Sequence, residues 1–217
     1  MFMNRELEQV VFSGIVAIRD RLLRMPNPLR LESGEPSFDT PPHIKEAMTR
    51  ALQDNHTHYA PSTGILPLRE AIFKKVSEKN GIGYLTGPEQ VVVTNGGMHA
   101  LYTSLRTILN PGDEVIIPCP VWTATSWMIK LAGGQIRPVR LKPELNYRWD
   151  IEELSAAVTP ACKAILLNTP HNPTGGVLTA GDLEGILDIA EKHGLYVIAD
   201  EAYEDIIYDK THVSIAS

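Results

Sequence analysis

From residue 90 onward, short apolar runs alternate with stretches of helical periodicity. The runs are apolar at consecutive positions, which is typical of strands buried on both faces. They predict five strands: Val91–Thr94, Glu114–Ile117, Ile136–Val139, Ala164–Leu167 and Tyr196–Ala199. The stretches between them predict four helices: His99–Leu109, Thr123–Leu131, Ile151–Val158 and Asp182–His193. This alternation predicts an α/β fold, a mostly parallel sheet with helices on both faces.

The first ninety residues have a different pattern, with helical spacing and no strand. They predict helices over Glu6–Leu23, over Pro41–Asp54 with Thr40 as N-cap, and over Leu66–Lys79. A link rich in Gly and Pro separates the first two helices. We therefore expect an N-terminal arm and small-domain segment over residues 1–60 and a large α/β domain over residues 61–217.

Composition narrows the class of protein. No apolar run reaches the roughly 18–20 residues that cross a bilayer. Among the 217 residues, 20 Lys and Arg against 26 Asp and Glu give a net charge of −6, which argues against general nucleic-acid binding. The two cysteines, Cys119 and Cys162, have no metal-ligand spacing and form no disulfide framework. A soluble cytoplasmic α/β protein is expected.

Ligands of parallel α/β sheets bind beyond the carboxyl ends of the strands. Four predicted strands are followed by segments suited to binding: Thr94–His99, Pro118–Trp122, Asn168–Gly176 and Ala199–Tyr203. In the first, Gly96 and Gly97 open a helix, and a helix N-terminus that a ligand can approach closely favours a phosphate. An ordinary strand–helix turn explains the same residues equally well. The segment matches neither G-x-G-x-x-G nor a P-loop.

The next two segments carry Trp122 and Asn172. Trp122 could lie on a planar ligand or simply cover the core, and Cys119 beside it reads as a buried apolar residue. Two prolines and two glycines shape the segment around Asn172, so its amide should project from a stiff loop with a cis peptide before Pro173. His171 is expected to be an exposed loop histidine.

The fourth segment places Asp200 at the end of an apolar strand. A carboxylate there needs a cation or hydrogen-bond donors, and a protonated ring nitrogen would satisfy it. Tyr203 could offer its hydroxyl to the same ligand. The alternative is a helix N-terminus whose dipole favours Asp200 and Glu201, and the two interpretations are compatible.

In this order and spacing, the four segments resemble the fold-type I pyridoxal-phosphate enzymes, specifically the class I/II aminotransferases of the aspartate aminotransferase superfamily. The resemblance extends from Ser33-Gly34-Glu35-Pro36 to Asp200-Glu201-Ala202-Tyr203. The sequence of Pro170–Gly175 looks most like the branch that includes kynurenine and methionine aminotransferases and succinyldiaminopimelate aminotransferase. The resemblance implies that the backbone of Gly97 and Met98 holds the phosphate of pyridoxal 5′-phosphate and that Trp122 stacks on its pyridine ring.

The resemblance also implies contacts to the polar atoms of the ring. Asn172 and Tyr203 would hydrogen-bond the phenolic oxygen, and Asp200 would keep the ring nitrogen protonated. A pyridinium accepts electrons from the substrate far better than a neutral pyridine. Tyr59 matches the family tyrosine that reaches the phosphate of the partner subunit, and Gly34 matches the glycine near the substrate carboxylate. A homodimer with a shared active site is therefore expected.

One family element has no counterpart here. The reaction needs a Schiff-base lysine in a Ser-x-x-Lys context, some tens of residues after the Asp/Tyr strand. None of the nine lysines has Ser or Thr three positions before it, and Ser217 is fourteen positions after Tyr203. We expect no catalytic residue in this chain. The expected explanation is a C-terminally truncated fragment; a short inactive product, or a site completed by a second polypeptide, are the alternatives.

The function implied is transfer of an amino group from an L-amino acid to a 2-oxo acid. Two other functions stay open on the sequence alone. A pyridoxal-phosphate-dependent carbon–sulfur lyase uses the same cofactor contacts, and a non-catalytic cofactor-binding chain needs no lysine. No metal site is expected.

Overall fold

The structure is a computed structural model that describes residues 14–34, 36, 38–209 and 211–217. The chain divides into two compact units between Ser62 and Thr63. The first unit contains α1 (Gly14–Leu22) and α2 (Pro42–Gln53). The first eight residues of the helix predicted over Glu6–Leu23 lie outside the described residues.

The N-cap of α2 differs from the prediction by one residue. Pro41 caps the helix, with φ −52° and ψ 141°, and no side chain bonds the free N–H groups. A residue before proline is disfavoured in the helical region, so Pro41 stays extended in front of Pro42. Thr40 therefore lies outside the helix, and its prediction as N-cap is wrong.

The second unit is built on a sheet of four parallel strands. They are β1 (Glu114–Cys119), β2 (Gln135–Arg140), β3 (Cys162–Asn168) and β4 (Tyr196–Asp200), in the spatial order β2-β1-β3-β4. Its helices are α3 (Leu66–Glu78), α4 (Gly96–Ile108), α5 (Thr123–Leu131), α6 (Ile151–Ala157) and α7 (Ala180–His193). The predicted α/β fold with a parallel sheet is confirmed.

Two hydrophobic clusters cover the two faces of this sheet. Ile116, Ile165 and Leu167 point into one cluster together with residues of α6 and α7. The alternate positions on the same strands, Val115, Ile117, Ala164 and Leu166, point into the other with residues of α4 and α5. This explains why the strands are apolar at consecutive positions, since successive side chains enter opposite layers.

One of the five predicted strands is not formed among the described residues. Val91–Thr94 is extended, and the Val93 N–H donates to the Thr63 carbonyl at 3.0 Å, but the segment belongs to no sheet ladder. The side chain of Val92 is 60% exposed. An apolar groove separates this segment from β4, so the segment and β4 do not pair with each other across it. A strand requires a hydrogen-bonded neighbour, which an apolar run cannot supply by itself.

Nothing in the described part of the chain forms a helix with the length and apolar character needed to span a bilayer.

Candidate functional site

The carboxyl ends of β3 and β4 lie side by side. Asn168 and Asp200, the last residues of these strands, are register partners. The loops that follow them bring two predicted site residues together, because Asn172 Nδ2 donates to Tyr203 Oη at 3.3 Å. Residues far apart in sequence thus place an amide and a phenol at one edge of the sheet.

The loop that carries Asn172 is held by its own backbone. The His171 N–H donates to the Gly176 carbonyl and the Gly175 N–H to the His171 carbonyl, both at 2.8 Å. The predicted cis peptide between Asn172 and Pro173 is present. A side chain at Gly176 would stand 2.8 Å from the carbonyl oxygen of Tyr147, so only glycine fits there. The amide of Asn172 therefore projects from a closely packed turn.

Asp200 ends β4 and is half-buried. Its Oδ1 accepts a hydrogen bond from the Ala202 N–H at 3.1 Å. Its Oδ2 makes no hydrogen bond with any residue that the structure describes. A carboxylate with one oxygen engaged in a turn and one available can receive a cationic N–H donor.

The N-terminus of α4 has the properties expected of an anion site. Gly96 has φ +79°, a conformation that favours glycine, and beyond chain neighbours and the helix's own backbone no described atom lies within 4 Å of a Cβ built on Gly96 or Gly97. The first N–H groups of a helix have no intrahelical acceptor, and the Asn95 side chain does not cap them. The helix dipole and these N–H groups together favour a phosphate, and the glycines leave open space for one.

Trp122 follows β1 and is the N-cap of α5. It is half-buried and packs against the cluster that contains Leu101 of α4 and Val115 of β1. The indole therefore covers the core, and its remaining surface is available to a ligand. Cys119 is exposed, so its prediction as a buried residue is wrong. It is the last residue of β1, where the burial of that strand ends.

His171 is also not as expected. It is 6% exposed, and its Nδ1 lies 2.7 Å from Thr174 Oγ1, while its Nε2 makes no hydrogen bond within the described part of the chain. Burial lowers the pKa of His171 to about 4, and the Pro120 carbonyl opposes this only in part. The prediction of an exposed histidine is wrong because the ring lies in the interior, close to the Pro120 carbonyl of the segment after β1.

A buried neutral histidine makes stability depend on pH. In the unfolded chain the pKa is near 6.5, so unfolding takes up a proton as the pH falls below that value, and stability is lost between about pH 6.5 and pH 4. We expect the free energy of unfolding to fall by up to about 2 kcal/mol between pH 7 and pH 5. Urea titrations at each pH measure it.

The matched variant for this prediction is His171→Gln, which keeps polar atoms but does not titrate. Carboxyl groups with a lowered pKa, such as Asp182 and Glu204, also contribute to the free energy of unfolding, but they lose that contribution below pH 5. They therefore do not interfere with the measurement between pH 7 and pH 5. An equal loss of stability from pH 7 to pH 5 in the variant would show that another group is responsible.

Side-chain hydrogen bonds and an ion pair hold the loop after β4 in place. The sequence did not reveal this cluster. Glu201 Oε1 accepts from Ser214 Oγ at 3.0 Å and from the Ile215 N–H at 3.3 Å, and its Oε2 lies 3.1 Å from His212 Nε2. Glu204 pairs with Lys75 of α3. These contacts hold the segment that carries Tyr203, and they connect residues too distant in sequence for a motif.

Gly34 and Tyr59, two further predicted site residues, belong to the first unit. No atom lies within 4 Å of a Cβ built on Gly34, and Tyr59 is fully exposed. Their predicted roles stay predictions.

Comparisons with known proteins identify the family of the chain. The family model for aminotransferase class I and II matches residues 26–217. Aspartate/prephenate aminotransferase of Thermus thermophilus is 39% identical over 216 residues, which cover 98% of this chain and 56% of the relative. Aromatic-amino-acid aminotransferase 2 of Thermococcus litoralis is 41% identical over 219 residues, covering all of this chain and 56% of the relative.

Solved structures give the same result. The aspartate aminotransferase of T. thermophilus with maleate superposes with a TM-score of 0.95 at 38% identity, over 99% of this chain and 57% of that chain. Alanine aminotransferase from Pyrococcus furiosus superposes with a TM-score of 0.92 at 31% identity, over 99% and 56%. The chain spans little more than half the length of the relatives it matches. It belongs to the class I and II aminotransferase family.

Proposed function

We propose that the protein acts in pyridoxal-phosphate-dependent transfer of an amino group from an L-amino acid to a 2-oxo acid, with this chain supplying most of the cofactor contacts. The observation that carries the proposal is the junction beyond β3 and β4, where the amide of Asn172 and the hydroxyl of Tyr203 are in contact and Asp200 ends the neighbouring strand. The family of the chain supports the same function.

The donors and acceptors at this junction fit the ring of pyridoxal phosphate. Asn172 and Tyr203 each bring a hydrogen-bond donor, which suits the ionised phenolic oxygen of the ring. The available oxygen of Asp200 suits the protonated ring nitrogen, and its negative charge favours that protonation. When bound, the cofactor supplies an electron sink for the substrate carbon that loses its proton. The role of the three residues is to orient the ring and to keep its nitrogen charged.

The phosphate of the cofactor and the face of its ring would contact residues outside this junction. The backbone N–H groups of Gly97 and Met98 hold the phosphate, supported by the open space above the glycines. Trp122 lies against the ring face with the part of its indole that the core does not cover. Tyr59 serves the phosphate of the partner subunit and Gly34 serves the substrate carboxylate, in a cytoplasmic homodimer. Within each chain, residues 1–60 are the arm and small-domain segment and residues 61–217 are the large cofactor-binding domain.

The relatives narrow the alternatives. Those reported above are named as aminotransferases, which does not favour the carbon–sulfur lyase or the non-catalytic chain. Their names give aspartate, prephenate, aromatic amino acids and alanine, and do not mention the substrates of the branch that Pro170–Gly175 resembles. The amino acid that this protein uses is therefore left to substrate screening.

Amino transfer is tested with a chimera in which this chain precedes the portion of the T. thermophilus relative that the match does not cover. The chimera with pyridoxal phosphate should turn over an L-amino acid repeatedly only when a 2-oxo acid acceptor is present, and without one should consume at most one equivalent per site, as a two-step transfer requires. Release of ammonia and a 2-oxo acid without an acceptor would instead identify a lyase.

The absence of a Schiff-base lysine has its own test. This chain is incubated with pyridoxal phosphate, reduced with borohydride and weighed intact. We expect scattered low-level labelling of the nine lysines. Stoichiometric labelling of one lysine would contradict the sequence prediction that no catalytic lysine is present.

A further inference from the structure

Asn168 lies between the two halves of the candidate ring site. It is the last residue of β3, half-buried and in register with Asp200. Its Oδ1 accepts a hydrogen bond from the Asn172 N–H at 2.7 Å, and its Nδ2 donates to the Asp200 carbonyl at 2.9 Å. The side-chain amide of Asn168 therefore connects the backbone of Asn172, proposed to contact the phenolic oxygen, with the backbone of Asp200, proposed to contact the ring nitrogen.

One of the two contacts holds backbone that the sheet does not, and the other adds a second donor to the end of a strand. The Asn172 N–H belongs to the loop beyond β3, where no ladder exists to receive it. The Asp200 carbonyl also accepts from the Thr169 N–H at 3.1 Å, so the end of β4 is attached to the β3 loop by two donors. Removal of the amide would leave one N–H unpaired and one attachment lost, while the strands themselves would keep their hydrogen bonds.

We infer that Asn168 is a positioning residue that sets the spacing between Asn172 and Asp200, and through them the orientation of the cofactor ring. The inference rests on the proposed function, since it takes these two residues as ring contacts. Asn168 itself need not touch the ring. Its effect is to keep two groups at a separation that matches one rigid ligand, which lowers the cost of binding.

Only a residue with an acceptor and a donor on a short side chain performs both tasks. Aspartate keeps the acceptor for the Asn172 N–H but places a charged oxygen against the Asp200 carbonyl. Leucine has similar size and neither group. Asn168→Asp therefore removes the contact with the Asp200 carbonyl, and Asn168→Leu removes both contacts, at nearly constant side-chain volume.

The test uses this chain and pyridoxine 5′-phosphate, which has the ring and phosphate but no aldehyde to react with lysines. Asn168→Leu should weaken binding at least tenfold by fluorescence titration, with Asn168→Asp intermediate. The pH at which the bound probe changes its absorption should also move toward the value of the free probe, because Asp200 no longer lies where it holds the ring nitrogen charged. A general loss of stability would not move this value.

Asn110→Leu is the control, since Asn110 is exposed, bonds only locally to Asp113 and precedes the amino end of β1. It should bind the probe as the parent does. If Asn168→Leu does not fold, Asn168→Asp decides: weaker binding at an unchanged unfolding temperature supports the inference. Parent-like affinity and pH response in the folded Asn168 variants overturn the inference alone. Failure of the parent chain to bind the probe overturns the proposed function and this inference with it.

Discussion

Replacement of Asp200 by alanine is expected to weaken the binding of pyridoxine 5′-phosphate by about a hundredfold. A hydrogen bond between a carboxylate and a charged ring nitrogen is worth about 1.5–3 kcal/mol, and each 1.4 kcal/mol is a tenfold change in affinity. The site is half-buried, so solvent screens this pair less than a surface pair. Fluorescence titration of the parent and the variant measures the change directly.

Asp200→Asn separates the charge from the local structure. The Oδ1 atom of Asp200 accepts from the Ala202 N–H, and asparagine can keep that contact while losing the negative charge. We expect Asn at this position to lose most of the affinity that Ala loses, with an unfolding temperature near that of the parent. Affinity equal to that of the parent in both variants would remove the ring-nitrogen role from Asp200.

The second large effect is expected from Gly97→Leu, which should reduce affinity for the same probe by at least about thirtyfold without loss of stability. Apart from its chain neighbours and the backbone of its own helix, no described atom lies within 4 Å of the Cβ position, so the new side chain starts in open space. It would instead fill the space proposed for the phosphate. Leucine is a better helix former than glycine, so stability should stay level or rise by up to about 1 kcal/mol.

Gly181→Leu is the matched control for this variant. Gly181 is the second residue of α7 as Gly97 is the second residue of α4, and its Cβ position is equally open. The control should share the effect on stability and have none on affinity. If both leucine variants bind the probe as the parent does, the phosphate is not at the N-terminus of α4.

The strands were predictable because their apolar residues are consecutive, and the helices because their apolar residues recur at helical spacing. Glu114–Ile117 and Tyr196–Ala199 lie within β1 and β4, and α5 has the bounds that the periodicity predicts. Once the strands were predicted, the polar residues that end them could also be proposed as site residues. Parallel strands that end at one edge bring those residues together, whatever the details of the loops.

Features that depend on contacts distant in sequence were not predictable. Val91–Thr94 has the residues of a strand, but a ladder needs a neighbour that the apolar pattern does not reveal. The burial of His171 places its ring close to the Pro120 carbonyl, which is distant in sequence. Asn168 gave no signal, because an asparagine at the end of a strand acquires a role only when Asp200 is its register partner.

The most direct test of the central claim is a map of the backbone amide resonances of this chain as pyridoxine 5′-phosphate is added. The claim is that the cofactor lies at the carboxyl edge of the sheet, with its phosphate on α4 and its ring between Asn172 and Asp200. We expect the largest shifts at Gly97 and Met98 and in the loops that carry Asn172 and Asp200. Saturable shifts confined to other parts of the second unit, with none at these positions, would contradict it.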